Sequence, residues 1–487
     1  MRIIIVRRVN GVKEAMKVRR PLVEALEQFV EQKPLSLHVP GHKNGLLSNL
    51  PYDVKQALKY DVTELTGLDD LHHPEEAIQE AEQLLAETYG AQKSFMLVNG
   101  STVGNLAMIY ATCKRGDKIL VQRNAHKSIF HAIELVGAEP VYLMPEWDEA
   151  TSTMGALHLQ TVQQAIGEHP DAKGLIITSP TYYGVVAQDL KQQIEHCHAH
   201  NIPVLVDEAH GAHLVASKHF PQSALSLGAD VVVQSAHKTL PAMTMASFLH
   251  VKSELVDASS IQHYLRMLQS SSPSYMLLAS LDEARAYVQS YKESDAIYVL
   301  EKRAQWLEAL RSIPSVEVIE AADPLKICLR VDRYSGAQVQ QALEVQGLYV
   351  ELADPQQVLL ILPLLKVGQS YPFAELRVRV RNAVANLQKL QPERREVTPR
   401  LEVQAVSRPQ LMNEQVTSGE KEWISYMRAI DRISAAMVIP YPPGVPLFVP
   451  GEKITIAKLS QLEDFLAMDA SFQGQHQLHN KMIYVMK

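Results

Sequence analysis

The run VVVQSAHKTL, Val231 to Leu240, ends a very apolar stretch on a serine, a histidine and a lysine. A lysine at the end of a buried strand sits where loss of water disfavours its ammonium form, and the neutral amine that results is the nucleophile that attacks aldehydes. Lys238 is therefore a candidate covalent anchor. A second apolar run upstream, IPVLVDEAHGAH, delivers Asp207 at its end. Two such strands on one parallel sheet bring their carboxyl ends to the same edge, where open α/β sheets bind ligands.

A lysine and a carboxylate converging on one edge suit pyridoxal 5'-phosphate. The lysine holds the aldehyde, and the carboxylate keeps a proton on the pyridine nitrogen so that the ring becomes an electron sink. After the apolar SFMLV comes NGSTVGN, a small polar turn that leads into the helix-like LAMIYATC. Free NH groups at a helix start bind phosphate, which makes Gly100, Ser101 and Thr102 a candidate cradle, although Ser and Thr before a helix also act as plain N-caps. RNAHKS places His126 in a polar gap after the apolar KILVQ, where an imidazole face can stack on a pyridine ring. The chain has 19 histidines, so the order of the motifs, not the residue alone, singles out His126.

That order resembles the Orn/Lys/Arg decarboxylase family of pyridoxal phosphate enzymes, in the shorter form of Gram-positive bacteria typified by arginine decarboxylase. The segments that carry the likeness are HVPGHKNG, DVTELTGLDDLHHP, NGST, RNAHKS, DEAHGAH, SAHKTLPAMTMAS and YPPGVPLFVPGE, and they run from near the start of the chain to near its end. The resemblance implies that Lys238 binds the cofactor aldehyde, Asp207 pairs with the ring nitrogen and His126 stacks on the ring. It further implies that Ser101, Ser235 and His237 contact the phosphate, with Gly100 and Thr102 completing the turn, and that Ala209 and His210 lie against the other side of the cofactor. Larger relatives carry a different ring at the place of His210. His237 or Lys238 is expected to return a proton to the α-carbon, and the loop from Tyr441 to Gly444 to close over the substrate entrance. One departure stands out: Arg432 to Met437 reads RISAAM, where some relatives carry an acid near Ala436.

The elements that position these residues are legible in outline. SFMLV, KILVQ, PVYLM, GLIITS, PVLVD and DVVVQ are short β-branched runs separated by helical patterns, which predicts a doubly wound, mostly parallel sheet. Ser179 to Gly184, in the tail of GLIITSPTYYG, is a plain loop or a pocket wall. A helical pattern covers Glu283 to Glu308, after which SVEVIE, KICLRV, GLYVEL and VLLILPLL read as strands of a smaller domain. The Pro-containing stretch from Gln391 to Arg400 reads as a linker. The expected architecture is the aspartate aminotransferase-like fold type I of pyridoxal phosphate enzymes. An N-terminal segment (1–30) precedes a cofactor-binding large domain (31–285), a small α/β domain (286–390) and a C-terminal α/β domain (391–487). Within MKVRRPLVEALEQFVEQ, Leu22, Val23, Leu26, Phe29 and Val30 fall on one helical face.

Composition excludes other classes. With 46% hydrophobic and 21% charged residues, the 487-residue chain is an ordinary globular one of two or three domains. Cys113, Cys197 and Cys328 show no paired spacing, so neither a disulfide framework nor a metal site is indicated. MRIIIVRRVN is too briefly apolar for a signal peptide or a membrane span, which gives a cytoplasmic expectation. A net charge of −7 without a basic stripe argues against nucleic-acid binding.

The substrate expected from the resemblance is a basic amino acid, first arginine (to agmatine, for polyamine synthesis), then lysine or ornithine. Asp61, Glu64, Asp69 and Asp70 are candidate partners of its distal cation, with Tyr441 at the entrance; each acid is equally readable as part of a solvated loop. An aminotransferase reading needs an arginine clamp on the substrate carboxylate, for which Arg377, Arg379 and Arg381 are the candidates, and a non-catalytic binding protein of the same fold is a third reading. The resemblance also implies a homodimer or higher homo-oligomer, with the pocket at a two-fold interface.

Overall fold

A computed structural model describes residues 18–390, 404–441, 444–467 and 470–487. Each apolar run predicted as a strand between Lys93 and Ser235 forms one: Lys93–Leu97 (β1), Lys118–Gln122 (β2), Glu139–Leu143 (β3), Leu175–Thr178 (β4), Val204–Asp207 (β5) and Val231–Gln234 (β6). A further strand, Ser247–Val251 (β7), follows the lysine motif. Strands of a second sheet follow at Val316–Glu320 (β8), Lys326–Val331 (β9), Leu352–Ala353 (β10) and Val358–Ile361 (β11), and then comes Val406–Ser407 (β12).

The large sheet has eight strands in the order β1-β7-β6-β5-β4-β2-β3-β12. Strands β2 to β6 run parallel, while β7 is antiparallel to both of its neighbours and β12 to β3. Residues of the central strands alternate between two apolar cores: Leu175, Ile177, Val204, Val206 and Val232 enter one, and Ile176, Leu205, Val231 and Val233 the other. A sheet covered on both faces needs continuous apolar strands, which these are. Gly104 lets its helix lie close on the sheet, because a Cβ there would stand 2.8 Å from Leu97 and from Val233. The expected mostly parallel α/β architecture is the one observed.

The small sheet has the order β8-β9-β11-β10 and is antiparallel throughout. GLYVEL pairs only at its last residue, Leu352, with Ala353 following it. The alternating basic stretch ELRVRVRNAV lies in a helix, Phe373–Leu387, because Val380, Ala383, Val384 and Leu387 recur at helical spacing and are buried. The predicted N-terminal helix runs from Pro21 to Glu31 with Leu22 and Leu26 buried. The C-terminal segment adds β12 to the large sheet. It also forms two antiparallel strand pairs, Lys421–Ser425 with Met482–Met486 and Val438–Tyr441 with Ser471–Gly474, around a helix from Ile456 to Ala467. The stretch read as a linker, Gln391 to Arg400, lies outside the described residues, as does the chain before Val18. Among the described residues no helix is long and apolar enough to cross a membrane, and all three cysteines are free and buried.

Candidate active site

Parallel register brings the chemistry to one edge. Thr178 stands beside Asp207 and Asp207 beside Val233, so the loops after β4, β5 and β6 leave from the same side. Asp207 is 2% exposed. Its Oδ1 accepts from the Ala209 backbone at 3.2 Å and its Oδ2 from Asn105 Nδ2 at 3.0 Å. The same Asn105 nitrogen donates to Ser128 Oγ at 2.9 Å. The Ser128 hydroxyl lies 2.8 Å from His126 Nδ1, which also accepts from the Ser128 backbone as the N-cap of helix Lys127–Val136. His126 Nδ1 is thus an acceptor, and the proton of the neutral ring sits on Nε2. Burial lowers the pKa of His126, against the attraction of Asp207.

Lys238 lies in the short turn Ala236–Thr239 that follows β6. Burial lowers its pKa, opposed by Asp207 and Glu351. Its Nζ is 3.0 Å from His210 Nε2 and 5.5 Å from the centre of the Tyr182 ring. Tyr182, on the loop read as either pocket wall or plain loop, therefore faces the lysine. Ser235 Oγ donates to Ser101 Oγ at 2.9 Å, which joins the β6 turn to the start of helix Gly100–Thr112, where Gly100 has φ +76° and Thr102 is exposed. The ring of His237 donates through Nδ1 to the Ala246 carbonyl at 3.1 Å. Ala209 and His210 are buried in the loop after β5. Glu208 braces that loop, accepting from Ser223 Oγ, Ala224 N and Gln234 Nε2.

The acidic segment is tied to the same edge. His72 Nε2 donates to the Ser270 carbonyl at 2.8 Å, and the Ser270 amide donates to Asn99 Oδ1 at 3.2 Å. Asp61 pairs with His42 at 3.0 Å, Asp70 accepts from the His72 amide, and Glu64 is half-buried. At the start of helix Ala77–Tyr89, Asp69 Oδ2 accepts from the amides of Glu76 and Ile78, and Oδ1 from that of Glu75. Asp69 thereby shapes the loop. Tyr441 ends its strand; its side chain, Pro442 and Pro443 lie outside the described residues. Ala436 is buried, with its carbonyl accepting from Ser434 Oγ at 2.7 Å. Arg377 bonds to Ser312, and Arg379 to Glu375 and the Gln346 carbonyl, so these two arginines are already engaged.

Sequence reasoning missed Asn105, Ser128, Lys326 and Arg123. Arg123, fully buried three positions before His126, grips Glu452 with both Nη atoms at 2.9 and 2.8 Å and donates to the carbonyls of Pro446 and Leu447. Glu452 also takes Lys458 at 2.6 Å. The segment after Tyr441 is fastened in this way to the loop that carries His126. The RNAHKS and YPPGVPLFVPGE motifs were both visible, but not that the arginine of one meets the glutamate of the other.

These residues fit pyridoxal phosphate. A buried carboxylate braced by Asn105, a desolvated amine, and two serine hydroxyls meeting at a helix start match its ring nitrogen, aldehyde and phosphate in turn. Asn105 Oδ1 is buried without a hydrogen-bond partner beside that carboxylate.

Comparison with known proteins agrees. The chain is 45% identical over 476 residues to a Bacillus subtilis protein described as uncharacterized, YaaO, covering 96% of this chain and 98% of the relative. It is 34% identical over 490 residues to the arginine decarboxylase of Bacillus anthracis, covering 96% and 97%. Its fold is similar to that of the Francisella novicida lysine decarboxylase LdcF, with a TM-score of 0.77 at 19% identity, over 96% of this chain and 81% of that one. The Orn/Lys/Arg decarboxylase major domain matches residues 20–330 and the C-terminal domain of the same enzymes matches residues 393–476, and the chain accordingly belongs to the Orn/Lys/Arg decarboxylase family of pyridoxal phosphate-dependent amino acid decarboxylases.

Proposed function

We propose that this enzyme converts arginine to agmatine and carbon dioxide, for polyamine biosynthesis in the cytoplasm. The observation that carries the chemistry is the meeting of a desolvated lysine amine and a buried, amide-braced carboxylate at neighbouring strand ends. The choice of arginine is supported by the end-to-end likeness to an arginine decarboxylase.

Lys238 is the residue to hold the cofactor aldehyde, Asp207 to face its ring nitrogen and His126 to lie on the ring. Ser101, Ser235 and His237 hold the phosphate, with Gly100 and Thr102 completing the turn, and Ala209 and His210 lie on the opposite side. When bound, the cofactor supplies the sink for the electron pair left by departing carbon dioxide. Asp207 keeps the proton that makes the ring a strong sink. Lys238 Nζ, or His237 once Nε2 has taken up a proton, returns that proton to the α-carbon. Asp61, Glu64 and Asp70 are the acids proposed to meet the distal cation, with Asp69 shaping their loop and Tyr441 at the entrance. Large and small domains correspond to 31–285 and 286–390, and the assembly is a homodimer or a higher homo-oligomer.

A product assay with arginine, lysine and ornithine side by side tests this. Agmatine is expected to form fastest, and Lys238→Ala to lose the reaction together with the visible absorbance of the bound cofactor. Faster cadaverine or putrescine formation transfers the assignment to lysine or ornithine. Keto-acid formation in place of amine overturns the decarboxylase reading.

A further inference from the structure

Lys326, on β9 of the small sheet, is fully buried. Its Nζ lies 3.0 Å from His210 Nδ1, and the other nitrogen of that ring lies 3.0 Å from Lys238 Nζ. The backbone is shaped for this approach: Gly184 has φ +82°, and a Cβ there would stand 2.8 Å from Lys326 Cγ. A neutral imidazole offers one donor and one acceptor, and an ammonium group only donates. Two ammonium groups cannot both donate to His210, so one of the two lysines is a free amine. Each lysine has a carboxylate in reach, Asp207 for Lys238 and Asp323 for Lys326; Asp207 already accepts from Asn105 and Ala209, which leaves the less satisfied carboxylate, and with it the need for a cation, at Asp323. Its carboxylate is fully buried near Lys326, bonds to His213 at 2.9 Å through Oδ1, and has no hydrogen-bond partner on Oδ2.

We propose that Lys326 is a positioning residue. As the cation it donates to His210 Nδ1, fixes that ring as the Nε2–H tautomer, and so holds Lys238 as the amine whose lone pair receives that hydrogen. The inference rests on the reading of Lys238 as the cofactor anchor. Facing Lys238 are Asp207, Glu351, Tyr182, His126, His237 and His210. Facing Lys326 are Asp323, Glu351, Cys328 and His210, with Lys238 beyond. Burial brings Lys326 down to about 8, against the pull of Asp323 and Glu351, so the cation is present at neutral pH and lost above it. Burial would raise Asp323, but His213 and Lys326 outweigh it and hold the carboxyl below its usual range. Burial first, then the Lys326 cation, keeps His210 neutral.

Competitive labelling of the Lys238 amine with acetic anhydride tests this. It is done on the cofactor-free full-length chain across neutral and alkaline pH and read by peptide mass spectrometry. In Lys326→Met the labelling midpoint of Lys238 is expected to rise by about one unit or more, which is about a tenfold loss of amine at neutral pH. His210→Phe is expected to do the same, and Lys326→Arg to keep the parental midpoint. A lysine that served only the fold would change labelling equally at every pH. A midpoint unmoved in either Lys326→Met or His210→Phe overturns the proposal, and so does one that moves as far in Lys326→Arg as in Lys326→Met. Cofactor capture, followed by absorbance, separates the two readings. A shifted midpoint without capture at Lys238 sinks the anchor reading alone; capture with an unmoved midpoint sinks the relay alone.

Discussion

Asn105 divides one amide between the Asp207 carboxylate and the Ser128 hydroxyl, and through the second it sets the orientation of His126. Asn105→Ala leaves two buried acceptors without their donor, which costs about 1–3 kcal/mol. The expected outcome is a lower unfolding midpoint in the cofactor-free chain and a cofactor affinity weaker by about tenfold or more, since each 1.4 kcal/mol is a factor of ten. Equilibrium titration with pyridoxal phosphate measures it; parental affinity in the variant would remove Asn105 from the site. At this scale the sequence exposes Lys238, Asp207 and His126, because each ends or follows an apolar run and strand ends are where such folds work. Asn105 is hidden by its setting in a helix interior, where it reads as one more polar residue of NGSTVGN. Lys326 is hidden because its meeting with His210 depends on how the small sheet docks, which no local pattern encodes.

Glu208 shows how the loop after β5 is held, and it makes the loop sensitive to pH. The side chain is 1% exposed, and burial pushes its pKa up to about 7, against the amide of Ala224 and the side chains of Gln234 and Ser223, which favour the ionised form. An ordinary glutamate in the unfolded chain loses its proton near 4.5. Between those values the folded chain binds more protons than the unfolded one, so stability is fullest below the lower value and falls as pH rises through the higher. The loss is on the order of 3 kcal/mol. Glu208→Gln, which cannot ionise, is expected to flatten this slope, so that unfolding midpoints at acid and slightly alkaline pH draw together; an unchanged slope would show that Glu208 stays ionised throughout. Elements were largely legible for the reason Glu208 is buried: the central strands are covered on both faces and so read as continuous apolar runs. Where one face is open, the reading weakened. GLYVEL contributes only one paired residue, Leu352, and the alternation in ELRVRVRNAV looks strand-like until its burial at helical spacing is known.

The whole molecule presents an apolar arm that the described residues leave open. Leu35 is 94% exposed and Leu37 97%, with Leu46, Leu47 and Tyr52 also open, and helix Tyr52–Ala57 has no buried residue. Clustered apolar exposure of this kind marks an association surface, and the arm leads directly into the loop of Asp61 to Asp70, which is tied to the cofactor-binding edge through Ser270 and Asn99. Each leucine that a second copy fully buries contributes about 1.5–3 kcal/mol. Replacing Leu35 and Leu37 together by aspartate is therefore expected to weaken self-association by roughly two to four orders of magnitude. Sedimentation and the product assay, run on the same dilution series, check it. The parent is expected to sediment as a dimer or larger and keep its specific activity, while the double variant is expected to dissociate and lose activity in parallel, as a pocket completed across the proposed homo-oligomer interface requires. A parent that sediments as a monomer and is fully active would show that one chain holds the complete site and that the arm serves something else.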